Sequence, residues 1–312
     1  GVFDISGQTL TFQTGNTPIV RNAGTVTTNA ATSLVFGTPG NQGGTAFTLP
    51  NSTFTASPAT LLNLVVNRTN ALTLGNQDLT INGTLTLTNG VLDISTRTLT
   101  FQNGNIPVER TNGTLTTNSS SGIVFGTVGN QGGNAFVLPN NLFTTAPVLN
   151  QLVLNRTNEI ELSNQDITIG NTLQLTSGVL DAGSQNVILN SGASITGGST
   201  ASHVKGNLRR NLPAGNNPVL FAVGDGTVYA PVVFTPAGTV TSGGSITMQS
   251  IAGDPGNIGS SGINNSVSVN RYWRVTDVQA VPGMSSYQLQ FTYAGSDNDA
   301  GTTPADYVIR VF

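Results

Sequence analysis

The chain contains no cysteine, one lysine (Lys205), one histidine (His203) and one tryptophan (Trp273). Only 8% of its 312 residues are charged, against about 25% in typical globular proteins. Each shortage removes a class of chemistry. With no Cys and a single His, the usual N/S ligand sets of zinc are excluded. A Ser-His-Asp arrangement would rest on His203 alone, and no Gly-x-Ser-x-Gly elbow lies near it. The formal net charge of −3 is spread over scattered groups, so no basic stripe is present to neutralise a phosphate backbone. Nucleic acid is therefore not an expected partner. No apolar run reaches the roughly 18 residues that mark a transmembrane helix.

What replaces charge is Thr, Ser, Asn, Gln and 38 glycines. Apolar residues still make up 37%, and their regular spacing argues for a packed core rather than disorder. A Cys-free, Lys-poor, Thr/Asn/Gly-rich composition fits an extracellular bacterial protein better than a cytosolic one. The chain opens in mid-pattern, with neither initiator methionine nor signal peptide, and is expected to be a processed or excerpted piece of a longer parent.

The sequence repeats itself. Gly1-Val-Phe-Asp-Ile-Ser returns as Gly90-Val-Leu-Asp-Ile-Ser and again as Gly178-Val-Leu-Asp-Ala-Gly. Phe36-Gly-Thr-Pro-Gly-Asn-Gln-Gly-Gly returns at Phe125, and Asn67-Arg-Thr-Asn at Asn155. The offset is 89 from Pro58 to Pro147 and 88 from Asn67 to Asn155, so one residue is lost between them. A fixed period marks an array in which each unit is stabilised mainly by its neighbours. The expected divisions are repeat 1 at 1–89, repeat 2 at 90–177, a partial third copy at 178–202, and a different domain at 203–312.

Within a copy, apolar residues alternate with small polar ones in short runs such as Thr9-Leu-Thr-Phe, Leu79-Thr-Ile and Thr84-Leu-Thr-Leu-Thr. Period 2 reads as half-buried strand, and the Asn-Gly and Ser-Gly punctuation between runs reads as turns. Strand phrases this close together form either hairpins or the rungs of a solenoid. Similar phrases follow one another and Asn recurs at the corners, which favours an all-β, right-handed parallel β-solenoid (β-helix). Residues 37–58 and 126–147 break the rhythm and read as a loop inserted at the same point of each copy. Beyond residue 202, longer strands are expected at 218–223, 228–235, 245–251, 267–276, 286–294 and 306–312. They predict an antiparallel β-sandwich-like domain that covers the end of the solenoid.

The phrases Leu85-Thr-Leu-Thr-Asn-Gly-Val-Leu-Asp, Leu173-Gln-Leu-Thr-Ser-Gly-Val-Leu-Asp, His203-Val-Lys-Gly-Asn-Leu-Arg-Arg, Leu220-Phe-Ala-Val-Gly-Asp-Gly and Asn270-Arg-Tyr-Trp-Arg-Val cover much of the chain. In them the chain resembles the large repetitive secreted proteins of Bacteroidota, a group that includes type IX-secreted cell-surface adhesins, some of gliding motility. The resemblance implies an extracellular, cell-surface location. It says nothing about a ligand.

Few constellations carry chemistry. Asp4, Asp93 and Asp181 share one repeat position and Asp78 and Asp166 another, where accepting turn amides is the expected role. Glu159 and Glu161 share one strand face, opposite Ala71 and Thr73 of the first copy, and are expected to be a solvated pair. Asp297 and Asp299, in Ser296-Asp-Asn-Asp-Ala-Gly, are a weak calcium candidate that departs from the EF-hand loop. Trp273 is expected to anchor core, with Tyr272 and Arg274 facing the other way. The candidate contact residues are Asn41, Gln42, Asn130 and Gln131, in the repeated loops. No catalytic residue or cofactor is expected. The functional expectation is a structural or adhesive repeat protein, an extended rod with multivalent contacts to a polysaccharide, another extracellular surface or copies of itself. The alternatives are a polysaccharide-active β-helix enzyme, which would need clustered carboxylates or an Arg/Lys–acid set in a groove, and a self-assembling filament subunit.

Overall fold

A computed structural model describes residues 1–13, 15–102, 104–241, 243–277 and 281–311. The protein is all-β, 47% strand and 3% helical, and contains a β-solenoid of about ten turns. One turn can be followed from Leu64. The chain leaves the strand Asn63–Asn67, forms Leu72–Thr73 and then Leu79–Ile81, and returns as Leu85–Asn89, with Leu85 set parallel opposite Leu64. Three short strands on three faces thus complete one turn. The next turn repeats the path: Val91–Asp93 lies on Leu72–Thr73, Thr98–Phe101 on Leu79–Ile81, and Val108–Arg110 on Leu85–Asn89.

The local sequence explains this winding. Each face carries one apolar-x-apolar phrase: Leu72/Leu74, Leu79/Ile81, Leu85/Leu87, Leu92/Ile94 and Leu99/Phe101 all point inward and are buried. The intervening Thr73, Thr86, Asp93 and Thr100 take the opposite side of the pleat. Burying each such leucine contributes about 1.5–3 kcal/mol relative to exposure. At the corners the repeated aspartates accept main-chain amides. Asp93 Oδ1 accepts from Ser95 N at 2.8 Å, and Asp78 Oδ1 from Thr98 N in the next turn at 2.8 Å. Stacked rings recur at matching positions, Phe12 on Phe36 at 4.9 Å and Phe101 on Phe125 at 5.3 Å.

Equivalent phrases do not keep to one face. Thr9–Phe12 stacks with Ser33–Phe36, Asn63–Asn67, Leu85–Asn89 and Val108–Arg110. Its copy 89 residues on, Thr98–Phe101, stacks with Ala59–Leu61, Leu79–Ile81, Gly122–Phe125 and Val148–Asn155.

Parallel stacking runs past residue 202. Val204–Asn211 lies parallel on Leu180–Leu189, and Val223–Gly224 lies parallel on Val204–Asn211. The reason is local: Val204, Gly206, Leu208 and Arg210 preserve the inward alternation. The sheet then changes sense, because Ser245–Ala252 pairs antiparallel with Val204–Asn211 and Arg271–Thr276 antiparallel with Ser245–Ala252. A separate antiparallel sheet holds Val219–Phe221, Val232–Gly238 and Met284–Phe291. The strand expected at 306–312 does not form: Pro304–Asp306 is a 3₁₀ turn, residues 307–311 are irregular, and Phe312 lies outside the described residues. Pro304 starts that turn, and Val308, Ile309 and Val311 are left exposed.

Leu87→Ala is expected to lower the unfolding free energy by about 2–5 kcal/mol in urea titration, because the inward cavity lies between two turns. The outward Thr86→Ala change on the same strand should stay within about 0.5 kcal/mol.

Candidate functional site

The inserted loops come first, because they are repeated. Each opens with a tight reversal in which Thr38 and Asn41 exchange main-chain bonds of 3.2 and 2.8 Å, and Thr127 and Asn130 do the same at 3.1 and 2.8 Å. Each loop is then gripped by the Asn-Arg-Thr-Asn phrase of the following turn. Gln42 Nε2 donates to Asn67 Oδ1 at 2.6 Å, Thr69 N and Oγ1 donate to Gln42 O at 2.9 and 3.0 Å, and Asn70 Nδ2 donates to Gly44 O. The second copy repeats all four bonds with Gln131, Asn155, Thr157, Asn158 and Gly133. The side chains of Gln42 and Gln131 are thus turned onto the solenoid, and Asn41 and Asn130 are half-buried.

Beneath each loop lies an arginine that sequence reading does not single out. Arg68 and Arg156 are 1% and 0% exposed. Arg68 Nη2 donates to Thr45 O at 2.9 Å and Gly15 O at 3.4 Å; Arg156 donates to Asn134 O at 3.0 Å and Gly104 O at 3.2 Å. Gly44 and Gly133 make room for them, with φ of +119° and +107°. A Cβ there would stand 2.8 and 2.1 Å from the guanidinium Nη2 of Arg68 and Arg156. Among the described residues neither arginine makes an ion pair, and each leaves its Nε without an acceptor. Burial lowers the pKa of both, but a guanidinium stays charged. Two cations are thus held inside the solenoid by main-chain carbonyls, with Arg68 also 6.0 Å from the centre of the Phe47 ring. The signal was present in the sequence, since the Asn-Gln-Gly-Gly and Asn-Arg-Thr-Asn phrases recur together.

A second cluster is not repeated. Stacking sets Glu161 beside Asp181 and Asp181 beside Lys205 on three successive parallel strands. The carboxylates of Glu159, Glu161 and Asp181 offer oxygens that all lie within 4.8 Å of one another. Lys205 Nζ is 2.5 Å from Asp181 Oδ2 and 3.6 Å from Glu159 Oε2. The hydrogen bond to Asp181, with the charges of Asp181 and Glu159, raises the Lys205 pKa against a smaller opposing effect of burial. The solvated Glu159/Glu161 pair therefore acquires two further members from turns 20 and more residues away.

The remaining candidates have structural partners. Arg271, buried, donates to both oxygens of Asp297 at 2.8 and 3.0 Å and to Asp225 at 2.7 Å. Asp299 accepts from Ser268 N at 2.9 Å and Asn270 Nδ2 at 2.8 Å. Asp297 and Asp299, the calcium candidate, thus serve in this structure as acceptors for a guanidinium and for main-chain and side-chain donors. His203 is fully buried, with Nδ1 3.1 Å from Ser199 O and Nε2 accepting from Gly226 N at 3.1 Å, the pattern of a neutral ring. Trp273 donates to Ala230 O at 3.1 Å and packs on Phe291 of the separate sheet at 4.6 Å.

No protein-family model, curated protein or solved structure matches this chain.

Arg156→Ala is expected to cost about 3 kcal/mol in urea unfolding, since it leaves the carbonyls of Gly104 and Asn134 unpaired. Arg156→Lys should recover only part of that loss, because a point ammonium cannot reproduce the planar fork. Stability should also fall in two stages on acidification. Burial depresses the His203 pKa, so its contribution is complete above about pH 6.5 and declines below it. Burial alone would raise Asp225; the amides of Val228 and Thr227 and the Arg271 guanidinium outweigh it and hold the carboxyl well below its usual range. Its contribution is complete above about pH 4 and is lost as pH falls further. Thermal midpoints measured from pH 8 to pH 2 should show both stages, and Asp225→Asn should flatten the second.

Proposed function

We propose that this is an extracellular structural or adhesive repeat protein of a bacterial cell surface, an extended rod making multivalent contacts. The observation that carries this reading is the parallel stacking of about ten turns, with the same loop docked in the same way in both copies. What is multiplied along the chain is length and surface: phrases that recur supply core leucines, corner aspartates and loop clamps, and the acidic cluster recurs nowhere. In its finer form the reading is a right-handed solenoid, the hand that parallel strand crossovers nearly always take. Each 88- or 89-residue copy occupies eleven consecutive faces, one short of four turns. A sandwich-like domain within residues 203–312 closes the end, which the contact between Trp273 and Phe291 supports. The Bacteroidota resemblance supports the cell-surface location. A surface polysaccharide or another copy of the protein is the proposed partner, with weak contacts summed along the rod.

A glycan array probed with the full chain, together with labelling of native cells in electron microscopy, tests this reading. Discrete glycan binding that weakens when one loop-bearing copy is deleted, and rod-like label at the cell surface, are the expected results. Label confined to the cytoplasm would sink it.

One observation favours a second reading, a polysaccharide-active enzyme: among the described residues Glu159, Glu161 and Asp181 gather their carboxylates beside the basic Lys205. Reducing-end assays on a panel of acidic and neutral polysaccharides distinguish the two. The rod reading expects no turnover. Release of reducing ends that Glu161→Gln abolishes without changing the thermal midpoint would establish the enzyme.

A further inference from the structure

Lys205 is the only lysine in the chain, whose other basic side chains, His203 apart, are arginines. It is therefore the only side-chain amine able to condense with a carboxyl group, because a guanidinium is delocalised and always charged. The fold places that one amine against a carboxylate. Asp181 and Lys205 are direct partners on adjacent parallel strands, and Nζ lies 2.5 Å from Asp181 Oδ2. The Asp181 side chain is only 10% exposed, and Glu159 Oε2 stands 3.6 Å from the same Nζ.

The earlier copy shows what is particular here. Its equivalent aspartate, Asp93, lies between Thr73 and Thr116 of the adjoining turns, whereas Asp181 lies between Glu161 and Lys205. Both aspartates fill the same corner role through Oδ1, accepting from Ser95 N and Gly183 N at 2.8 Å. At Asp181 the second oxygen faces an amine.

We propose that Lys205 and Asp181 condense into an intramolecular isopeptide bond that joins two successive turns. The ion pair already contains every atom of the product. The ammonium passes one proton to Glu159, and the freed Nζ lone pair attacks Asp181 Cγ. The Gly183 amide holds the negative charge that develops on Oδ1. Collapse of the tetrahedral centre then breaks the Cγ–Oδ2 bond. Nζ keeps one hydrogen, and the other two leave with Oδ2 as water, one directly and one by way of Glu159. A cation and an anion become a neutral amide, and no oxidant or co-reactant is consumed. Groups held in such contact reach effective molarities of about 10⁵–10⁸ M. The bond ties Leu180–Leu189 to Val204–Asn211, the strand on which antiparallel pairing begins, so this end of the parallel stack cannot peel away.

Intact mass spectrometry of the purified full chain tests this, with no glycan and no turnover assay involved. The expected mass is one water below that of the sequence. Trypsin should leave Lys205 uncut and release residues 157–209, between Arg156 and Arg209, as one peptide lacking that water. Lys205→Arg keeps a cation at the site but cannot condense, and should show the full sequence mass. Glu159→Gln should delay the loss by about a hundredfold or more, timed from the start of cell-free synthesis. A full-mass chain whose Lys205 is cut by trypsin overturns the proposal and leaves a salt bridge. So does a water loss that persists in Lys205→Arg, the mark of an aspartyl succinimide. An unaltered rate in Glu159→Gln overturns the proton route through Glu159.

Discussion

Every inward side chain of this protein finds most of its apolar neighbours one turn above and one turn below, roughly 4.8 Å away along the axis. A single turn of three short strands has no interior of its own. Its leucines become buried only when another turn closes over them, which is why Leu79, between Ala59 and Leu99, is fully buried while Phe3 at the first turn is not. Stability in such a fold is a sum of nearest-neighbour terms, and a weak point is felt mainly in adjacent turns. The corner aspartates, the stacked phenylalanines and the parallel ladders all follow from keeping successive turns in the same register.

That same constraint explains the buried arginines. The loops at 37–58 and 126–147 lengthen one turn and would open a gap in the stack. Arg68 and Arg156 fill it, tying the loop carbonyls of Thr45 and Asn134 to Gly15 and Gly104 of an earlier turn. A leucine there would fill space but leave those carbonyls unsatisfied, and a lysine would satisfy fewer of them. Arg210 is held in the same manner, donating to the main-chain carbonyls of Leu220 and Ala193. Arg68 and Arg156 act as fasteners, and the Asn-Gln-Gly-Gly segment above them is shaped by what holds it.

Much of the architecture was legible in the sequence because it is written locally. A Leu-x-Leu phrase states which residues face inward, whereas the three strands per turn emerge only from the register that sets Leu85 on Leu64. Contacts between turns were less legible. Glu161, Asp181 and Lys205 are separated by 20 and 24 residues, and only the register of stacked strands makes them neighbours. Asp297 reads as a turn acid in Ser296-Asp-Asn-Asp until Arg271 is found opposite it. The strand expected after residue 305 is absent because alternation without a pairing edge does not make a strand. In each case the missing information was the identity of a distant partner, which no local pattern carries.

Thr9–Phe12 and its copy Thr98–Phe101 lie in different stacks, and this gives the rod a screw sense at a scale larger than its turns. Stepping by one copy advances the chain along the axis and also carries each phrase onto a neighbouring face. The docked loops then follow a coarse thread around the rod instead of lining up in a row. A flat surface lying along the solenoid would therefore meet one of the two loops at a time, while a flexible chain could reach both.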